Sequence, residues 1–403
     1  MHPFDLIPPA LEQGLRPLES LAQGAVLPKE APYTQARALL LAAMERYSVV
    51  LSQQLSPALS SQDVRRDLAL LRRVDARQAA ALSALRTPDR EGDCQRAILL
   101  AMLSLELTAV LAQRLGEGPV RQALHFALPE FLDEVYRLAN LLMLTEGKPA
   151  QQLLAGYVEI MPGRPLIACH RHPYDEVRAP AAPAGILEEL SPLLLCAVAE
   201  EKQCFLLHAA NRAEDPLARG LYLELSLLAE QHQTLFASLI SRQEPLDRLL
   251  LCQYAEGYLY DSCAREEEIA SLRQFYLEER DHELAHIRKL SDLGAREKGE
   301  APSLPDFPDR LRLGPNKGYV RDVLQSIGIT SLRESYVPVG TLPQGADFFR
   351  YQQRVCPQAE QVPSHQVAAQ VIEKTGEDYR FEIALHPVEA LRNRQKDNTQ
   401  VGR

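Results

Sequence analysis

Hydrophobic positions along the first 294 residues recur every three or four residues, and almost nothing alternates with a period of two. Leu and Ala dominate the periodic segments, whereas Gly and Pro are concentrated between them. This pattern is typical of amphipathic helices that bury one face. The sequence therefore predicts an all-α bundle up to about residue 294.

Turn-like segments divide the periodic region into four helical hairpins. The predicted helices pair 33–56 with 62–86, 94–115 with 120–145, 186–211 with 216–240, and 246–265 with 268–293. The turns "GEGP", "NRAEDP" and "REEE" are short and polar, as expected between antiparallel neighbours. The first hairpin carries the charged pattern "DVRRDLALLRRVDAR", which favours packing over chemistry.

Two changes in composition suggest domain boundaries. A Pro- and Gly-rich loop at 146–185 interrupts the hairpins, and a linker-like segment follows residue 294. We expect an N-terminal leader with an extra hairpin at 1–90, a helical bundle at 91–294 and a small mixed region at 295–403. In the last region, the pattern predicts a helix at 317–326, and "YRFEIAL" favours a strand.

Charge and cysteine content narrow the class of protein. The 403 residues carry a formal net charge of -10, and no cluster of Lys and Arg offers a surface for nucleic acid. The N-terminus lacks the pattern of a signal peptide, and no uninterrupted apolar run approaches the roughly 20 residues of a membrane span. Seven scattered cysteines without a C-x-x-C pair indicate reduced thiols. We therefore expect a soluble, cytoplasmic protein that binds neither membrane nor nucleic acid.

The last predicted helix contains an acidic, histidine-bearing stretch, "YLEERDHELAH", at 276–286. Steps of three and four residues trace the face that a bundle helix buries. Along this helix the steps give Ile269, Leu272, Tyr276, Glu279, Glu283, His286, Leu290 and Leu293. Because apolar residues occupy both ends of this face, the polar middle is predicted to point inward.

The first helix of each later hairpin places a lone glutamate on the same face: Glu106, Glu200 and Glu256. A buried carboxylate costs several kcal/mol unless it is paired, protonated or bound to a metal ion. On the second helices, the last hairpin has Glu283 and His286, whereas the middle one retains His232. Several carboxylates at one depth therefore suggest a shared cation.

A Glu from each of two helices and Glu-x-x-His from each of two others form the ligand set of di-iron and di-manganese carboxylate proteins. Here the sequence resembles the ferritin-like superfamily, and more closely bacterial ferritin-like-domain proteins. The resemblance spans about 94–294 and includes "ALPEFLDEVYRLANLL", "PGRPLIACHRHPYDEVR", "AEQHQTLFASL", "YAEGYLYDS" and "HELAHIRKL". It implies a ferritin-like helical bundle with a metal centre. The chain departs from the family pattern at Phe131, Glu134 and Ala229.

The predicted metal ligands combine the middle and last hairpins: Glu200, His232, Glu256, Glu279, Glu283 and His286. Carboxylates with two imidazoles favour Fe, as a di-iron or mononuclear centre, or Mn, and they also accept Zn. The alternative is a buried Glu–His hydrogen-bond network without metal. The stretch "CHRHP" at 169–173 leaves two interpretations open, a structural loop or lid and a second metal site.

Two functions follow from these residues. The first is an Fe- or Mn-dependent oxidoreductase that activates O2 or peroxide on a small-molecule substrate, in a chain that can form a homo-oligomer. The alternative is a metal-depleted helical scaffold that binds a protein partner, which the incomplete ligand positions of the earlier hairpins favour. Iron storage fits less well, since the extra hairpin, long loop and tail would complicate a cage.

Overall fold

The computed structural model describes residue 2 and residues 32–59, 61–85, 92–148, 182–298, 303–326 and 363–375. The described part of the chain is helical and contains no strand, which confirms the predicted all-α class. The "CHRHP" stretch, most of the loop at 146–185 and the segment "YRFEIAL" lie outside the described residues.

The helices follow the predicted hairpins closely. They are α1 (Pro32–Leu55), α2 (Gln62–Ala84), α3 (Asp93–Arg114), α4 (Pro119–Glu146), α5 (Ile186–Arg212), α6 (Pro216–Ser238), α7 (Pro245–Glu266), α8 (Ala270–Lys298), α9 (Lys317–Ser326) and α10 (Pro363–Thr375). The predicted helix at 317–326 is thus confirmed as α9.

Local sequence signals explain where several helices begin and end. Ser61 caps α2 by accepting a hydrogen bond from the Val64 backbone N–H at 3.4 Å. Pro119 occupies the first turn of α4, where its missing N–H costs nothing. The same helix ends at Gly147, whose φ of 65° is readily reached without a Cβ.

The chain folds into two compact units that differ from the predicted domains. The first unit contains α1, α2, the part of α5 up to Glu201, α7, α8 and residues 303–313. The second contains α3, α4, α5 from Lys202 onward, α6, α9 and α10. The N-terminal hairpin is therefore not an appendage, because it shares a unit with the last hairpin.

In the first unit, four helices close a bundle. Helix α1 packs against α2 and α7, while α8 packs against α7 and α2. Residues 303–313 run along α7, where Tyr254 and Tyr258 donate hydroxyl hydrogen bonds to the carbonyls of Asp306 and Asp309 at 2.8 and 2.7 Å. The bundle thus combines two hairpins that are far apart in sequence.

In the second unit, α4 packs against α3, α6 and α10, and α10 also packs against α6. Glu224 of α6 fixes the start of α10, because it accepts hydrogen bonds from the Ser364 backbone N–H at 2.9 Å and from its hydroxyl at 2.8 Å. The same carboxylate forms an ion pair with Arg137 of α4 at 3.1 Å. A buried carboxylate therefore ties three helices together.

Helix α3 is long and apolar enough to span a membrane by length and composition, which the sequence pattern did not lead us to expect. Within the structure, 89% of its apolar window is buried. Such burial is typical of a core helix, for which the same hydrophobic composition is needed.

Candidate metal centre

The middle of α8 presents polar side chains to the interior of the first unit. Tyr276, Glu279, Glu283 and His286 are each at most 1% exposed. Their spacing of three or four residues places them on one helix face. The structure therefore agrees with the inward orientation that the sequence predicts for this stretch.

The N-terminal hairpin, for which the sequence favours packing over chemistry, adds three buried polar side chains to this interior. Glu45 lies on α1, and Asp75 and Gln78 lie on α2, all at most 1% exposed. Steps of three and four residues along α2 would have found two of them, through the buried series Leu68, Leu71, Asp75, Gln78 and Leu82. Asp75 and Gln78 thus repeat the spacing of Glu283 and His286.

Hydrogen bonds connect α2, α7 and α8 around His286. Gln78 Nε2 donates to Glu283 Oε1 at 2.7 Å. His286 Nδ1 lies 2.6 Å from Gln253 Oε1, 3.2 Å from Glu283 Oε2 and 3.4 Å from Asp75 Oδ1. Since an amide oxygen only accepts, Nδ1 carries a proton in this arrangement.

A second group of hydrogen bonds connects α1 and α7. Gln253 Nε2 donates to Glu256 Oε2 at 2.5 Å and to Ser48 Oγ at 2.6 Å. The Tyr260 hydroxyl donates to Glu45 Oε1 at 2.6 Å. Gln253 therefore contacts both Glu256 and His286, which fixes the orientation of two side chains from different helices.

Two overlapping sets of donor atoms emerge from this geometry. The first set is Asp75, Glu283 and His286, and the second is Glu45, Glu256 and Glu283. Within each set, one donor atom per residue lies within 4.8 Å of the others. Ligands on opposite sides of a cation with bond lengths of roughly 2.1–2.3 Å lie up to about 4.6 Å apart. Each set can therefore hold one cation, with Glu283 shared between them.

Several buried atoms of the centre lack a hydrogen-bond partner among the described residues. They include Glu45 Oε2, Glu256 Oε1, His286 Nε2 and Gln78 Oε1. Leaving a buried polar atom unpaired costs about 1–3 kcal/mol. A bound cation with its own water ligands would satisfy atoms of this kind, so the donor set fits a metal ion.

The pKa shifts of the buried donor groups also bear on whether a cation fits this centre. Burial raises the pKa of Glu45 and Glu256 well above the ordinary range of a carboxyl, and neighbouring ionisable groups raise it further. Burial also lowers the pKa of His286, but the charges of Glu283 and Asp75 outweigh it and leave a net rise. Within the described part of the chain, neither Lys nor Arg pairs with these carboxylates. Burial therefore disfavours these carboxylates in their charged form without a cation, and a bound divalent ion would supply the positive charge that compensates them.

The predicted ligands divide into two groups. The structure brings Glu256, Glu283 and His286 together, and Glu279 lies one turn before Glu283 but belongs to neither donor set. Glu200 is a partly exposed residue of α5 outside both sets, and burial followed by the charge of Glu201 raises its pKa. His232 belongs to the second unit. The candidate donor sets contain Glu45 and Asp75, which the sequence prediction did not include.

His232 instead belongs to a polar cluster in the second unit. Its Nε2 lies 2.7 Å from Glu130 Oε2, and its Nδ1 lies 3.9 Å from Glu134 Oε1. Lys202 Nζ donates to Glu134 Oε2 at 2.5 Å and lies 4.5 Å from the centre of the Phe131 ring. The fully buried ammonium group thus supplies a positive charge within this unit.

This pairing predicts a large coupling between two substitutions. Lys202→Met should lower the free energy of unfolding by about 3–5 kcal/mol, because the buried Glu134 carboxylate loses its ammonium partner. Adding Glu134→Gln should restore most of that loss, since no uncompensated charge remains. Denaturant unfolding of the single and double variants measures this coupling.

An exposed ion pair provides the control. Arg66 and Asp63 are paired at 3.4 Å with side chains 68% and 82% exposed. Arg66→Met should change the free energy of unfolding by less than about 1 kcal/mol. If the Lys202 and Glu134 substitutions prove additive, the buried pair makes no specific contribution.

Comparison of the chain with protein-family models, with curated proteins and with solved structures finds no match.

Proposed function

We propose that the first unit is a ferritin-like metal centre of an Fe- or Mn-dependent oxidoreductase. The observation that carries this proposal is the pair of buried donor sets that share Glu283. Glu45 and Glu256 are single carboxylates from α1 and α7, whereas α2 and α8 each supply a carboxylate followed three residues later by a second donor. This distribution over four helices resembles the ligand pattern of carboxylate-bridged dinuclear proteins, with Asp75 and Gln78 in place of Glu and His on α2.

The charge of the donor sets supports two cations over one. Glu45, Asp75, Glu256 and Glu283 together carry, when ionised, the charge that two divalent ions neutralise. A single ion would compensate only two of the four carboxylates, and the other two would have to take up protons or remain charged in a dry interior at a cost of several kcal/mol each. The shared Glu283 provides the bridge that two neighbouring cations need.

The sets differ in the chemistry of their donors. One contains the imidazole of His286, and the other contains carboxylates only. Gln78 occupies the position that is a histidine in the Glu-x-x-His pattern, and its unpaired Oε1 is a neutral oxygen donor. An oxygen-rich set favours hard or borderline ions such as Mn2+ and Fe2+, while Zn2+ is also accepted.

When bound, Fe2+ or Mn2+ would supply one-electron redox chemistry toward O2 or peroxide. The chain's own residues then have three tasks. Gln253 orients Glu256 and His286, Tyr260 holds Glu45 through its hydroxyl, and the apolar bundle excludes water from the centre. The oxidised substrate is proposed to be a small molecule, because no basic surface for nucleic acid is indicated by the sequence.

Metal reconstitution tests the proposal. The full chain, stripped of metal and supplied anaerobically with Mn2+ or Fe2+, is expected to bind two equivalents, as measured by equilibrium dialysis and elemental analysis. The Fe2+-loaded protein is then expected to consume O2 or peroxide. Failure to bind Mn2+, Fe2+ or Zn2+ would contradict the metal centre and favour the scaffold. Binding without consumption would contradict only the oxidoreductase.

A further inference from the structure

Glu279 and His282 form a polar pair between the surface and the proposed metal centre. Glu279 is 1% exposed, whereas the His282 side chain is 15% exposed. His282 Nδ1 lies 3.0 Å from Glu279 Oε2. The pair thus leads from a partly solvent-accessible imidazole to a carboxylate that is buried in the interior of the first unit.

On the buried side of the pair, one carboxylate oxygen of Glu279 is available as a ligand. Glu279 Oε1 is buried and has no hydrogen-bond partner among the residues that the structure describes. Glu279 lies four residues, about one helical turn, before Glu283, and both carboxylates are on the buried face of α8. Glu279 is therefore the neighbour along this face of the carboxylate that both donor sets share.

On the solvent side of the pair, the imidazole of His282 can act as a metal ligand. When Nδ1–H of His282 is donated to the Glu279 carboxylate, Nε2 carries the lone pair that a metal ion binds. Such a carboxylate contact also raises the basicity of the imidazole as a ligand. The adjacent Arg280 pairs with Asp281 at 2.8 Å and with Asp261 at 3.3 Å. Its positive charge is therefore directed to other carboxylates.

A cation cannot reach the donor atoms of this centre directly from solvent. The five residues of the two donor sets are at most 1% exposed, so a cation has to pass other side chains before it reaches them. A hydrated divalent ion crosses an apolar wall only if ligands replace its lost water along the way. His282 and Glu279 are donors of the required type, at graded depth and on the same helix as Glu283.

Resting on the proposed metal centre, we infer that His282 and Glu279 form the entry route for its divalent cations. His282 binds the ion near the surface, and Glu279 passes it to the donor set of Glu45, Glu256 and Glu283. The route changes how fast the ion arrives and leaves, but it does not change the affinity of the final site.

The rate of Mn2+ uptake by the full chain tests this route. Metal-free protein is mixed rapidly with Mn2+, and the loss of the free-ion EPR signal is followed. Glu279→Gln and His282→Gln are each expected to slow uptake about tenfold, which corresponds to about 1.4 kcal/mol in the barrier. Release to a chelator should slow equally, so that the dissociation constant at equilibrium is unchanged.

The neighbouring Glu278 is a matched control, because it is an exposed carboxylate that accepts a hydrogen bond from Gln274 at 2.9 Å. Glu278→Gln should take up Mn2+ at the wild-type rate. Wild-type rates in both route variants would overturn the route alone, and so would a loss of affinity in Glu279→Gln, which would make Glu279 a ligand. A wild-type chain that takes up no Mn2+ overturns the metal centre itself.

Discussion

Replacing Glu283 with glutamine is expected to abolish the metal-dependent stabilisation of the protein. Glu283 belongs to both donor sets, so one substitution removes a ligand from each. A metal ion present at 100 times its dissociation constant stabilises the folded chain by about 2.7 kcal/mol, and the variant should lose this increment. Thermal and denaturant unfolding, with and without Mn2+, measure it.

Glutamine is chosen because it keeps the size of the side chain and can still accept the hydrogen bond from Gln78. The metal-free variant should therefore remain folded, which separates loss of metal from loss of structure. Glu45→Gln and Asp75→Asn each affect only one set, so each is expected to retain about one equivalent of metal.

Glu200→Gln is the informative control, because the sequence pattern predicts Glu200 as a ligand and the structure leaves it outside both sets. It is expected to bind metal as the wild type does. If Glu200→Gln lost metal while Glu283→Gln kept it, the centre would lie elsewhere in the chain.

The inward face of α8 could be read from the sequence because apolar residues define the same register on both sides of Glu283 and His286. The same helical register predicted that Glu256 of α7 is buried. The buried face is a property of each helix alone, so the periodicity of the sequence indicates it directly. The all-α class and the limits of the hairpins were predictable for the same local reason.

The partner hairpin was not predictable from this pattern. Periodicity shows that a side chain is buried, but it does not show which helix lies opposite. His232 is buried, as its register predicts, yet its contacts are with Glu130 and Glu134 of the second unit. Adjacent hairpins in the sequence were expected to pair, whereas α7 and α8 pack with α1 and α2.

The role of the N-terminal hairpin was hidden by its charged residues. Its α2 carries three exposed Arg residues and the exposed Asp63, so its overall pattern indicates a solvated helix. Asp75 has the same residue type as Asp63 but lies in the register of Leu68 and Leu71. The position of each acid in the helical register therefore distinguishes a buried carboxylate from an exposed one.

The stability of the metal-free protein is expected to fall as the pH rises from about 5 to about 8, toward and past the folded-state pKa of Asp75. Burial raises that pKa to about 7, despite the opposing charge of His286. In an unfolded chain it is roughly 3.9. Between these values the folded protein holds a proton that the unfolded chain releases, so stability is highest below the lower value.

For each proton that is released on unfolding, the free energy of unfolding falls by about 1.4 kcal/mol per unit rise in pH. The other shifted groups act in the same direction. The pKa of Glu45 and Glu256 is raised by burial, and that of His286 rises because Glu283 and Asp75 outweigh its burial. Their stabilising contributions are likewise present at low pH and lost as the pH rises through the folded-state pKa.

Metal should reverse this trend, because a cation competes with the protons for the same donor atoms and compensates the carboxylate charges. Denaturant unfolding across this pH range, with and without saturating Mn2+, measures both slopes. Asp75→Asn should make the metal-free slope shallower by the contribution of one proton, whereas the exposed Glu278→Gln should leave it unchanged. Equal slopes in the wild type and Asp75→Asn would mean that Asp75 is ionised throughout. In that case an ionised Asp75 would be stable in the core of the metal-free protein without a cation to compensate its charge.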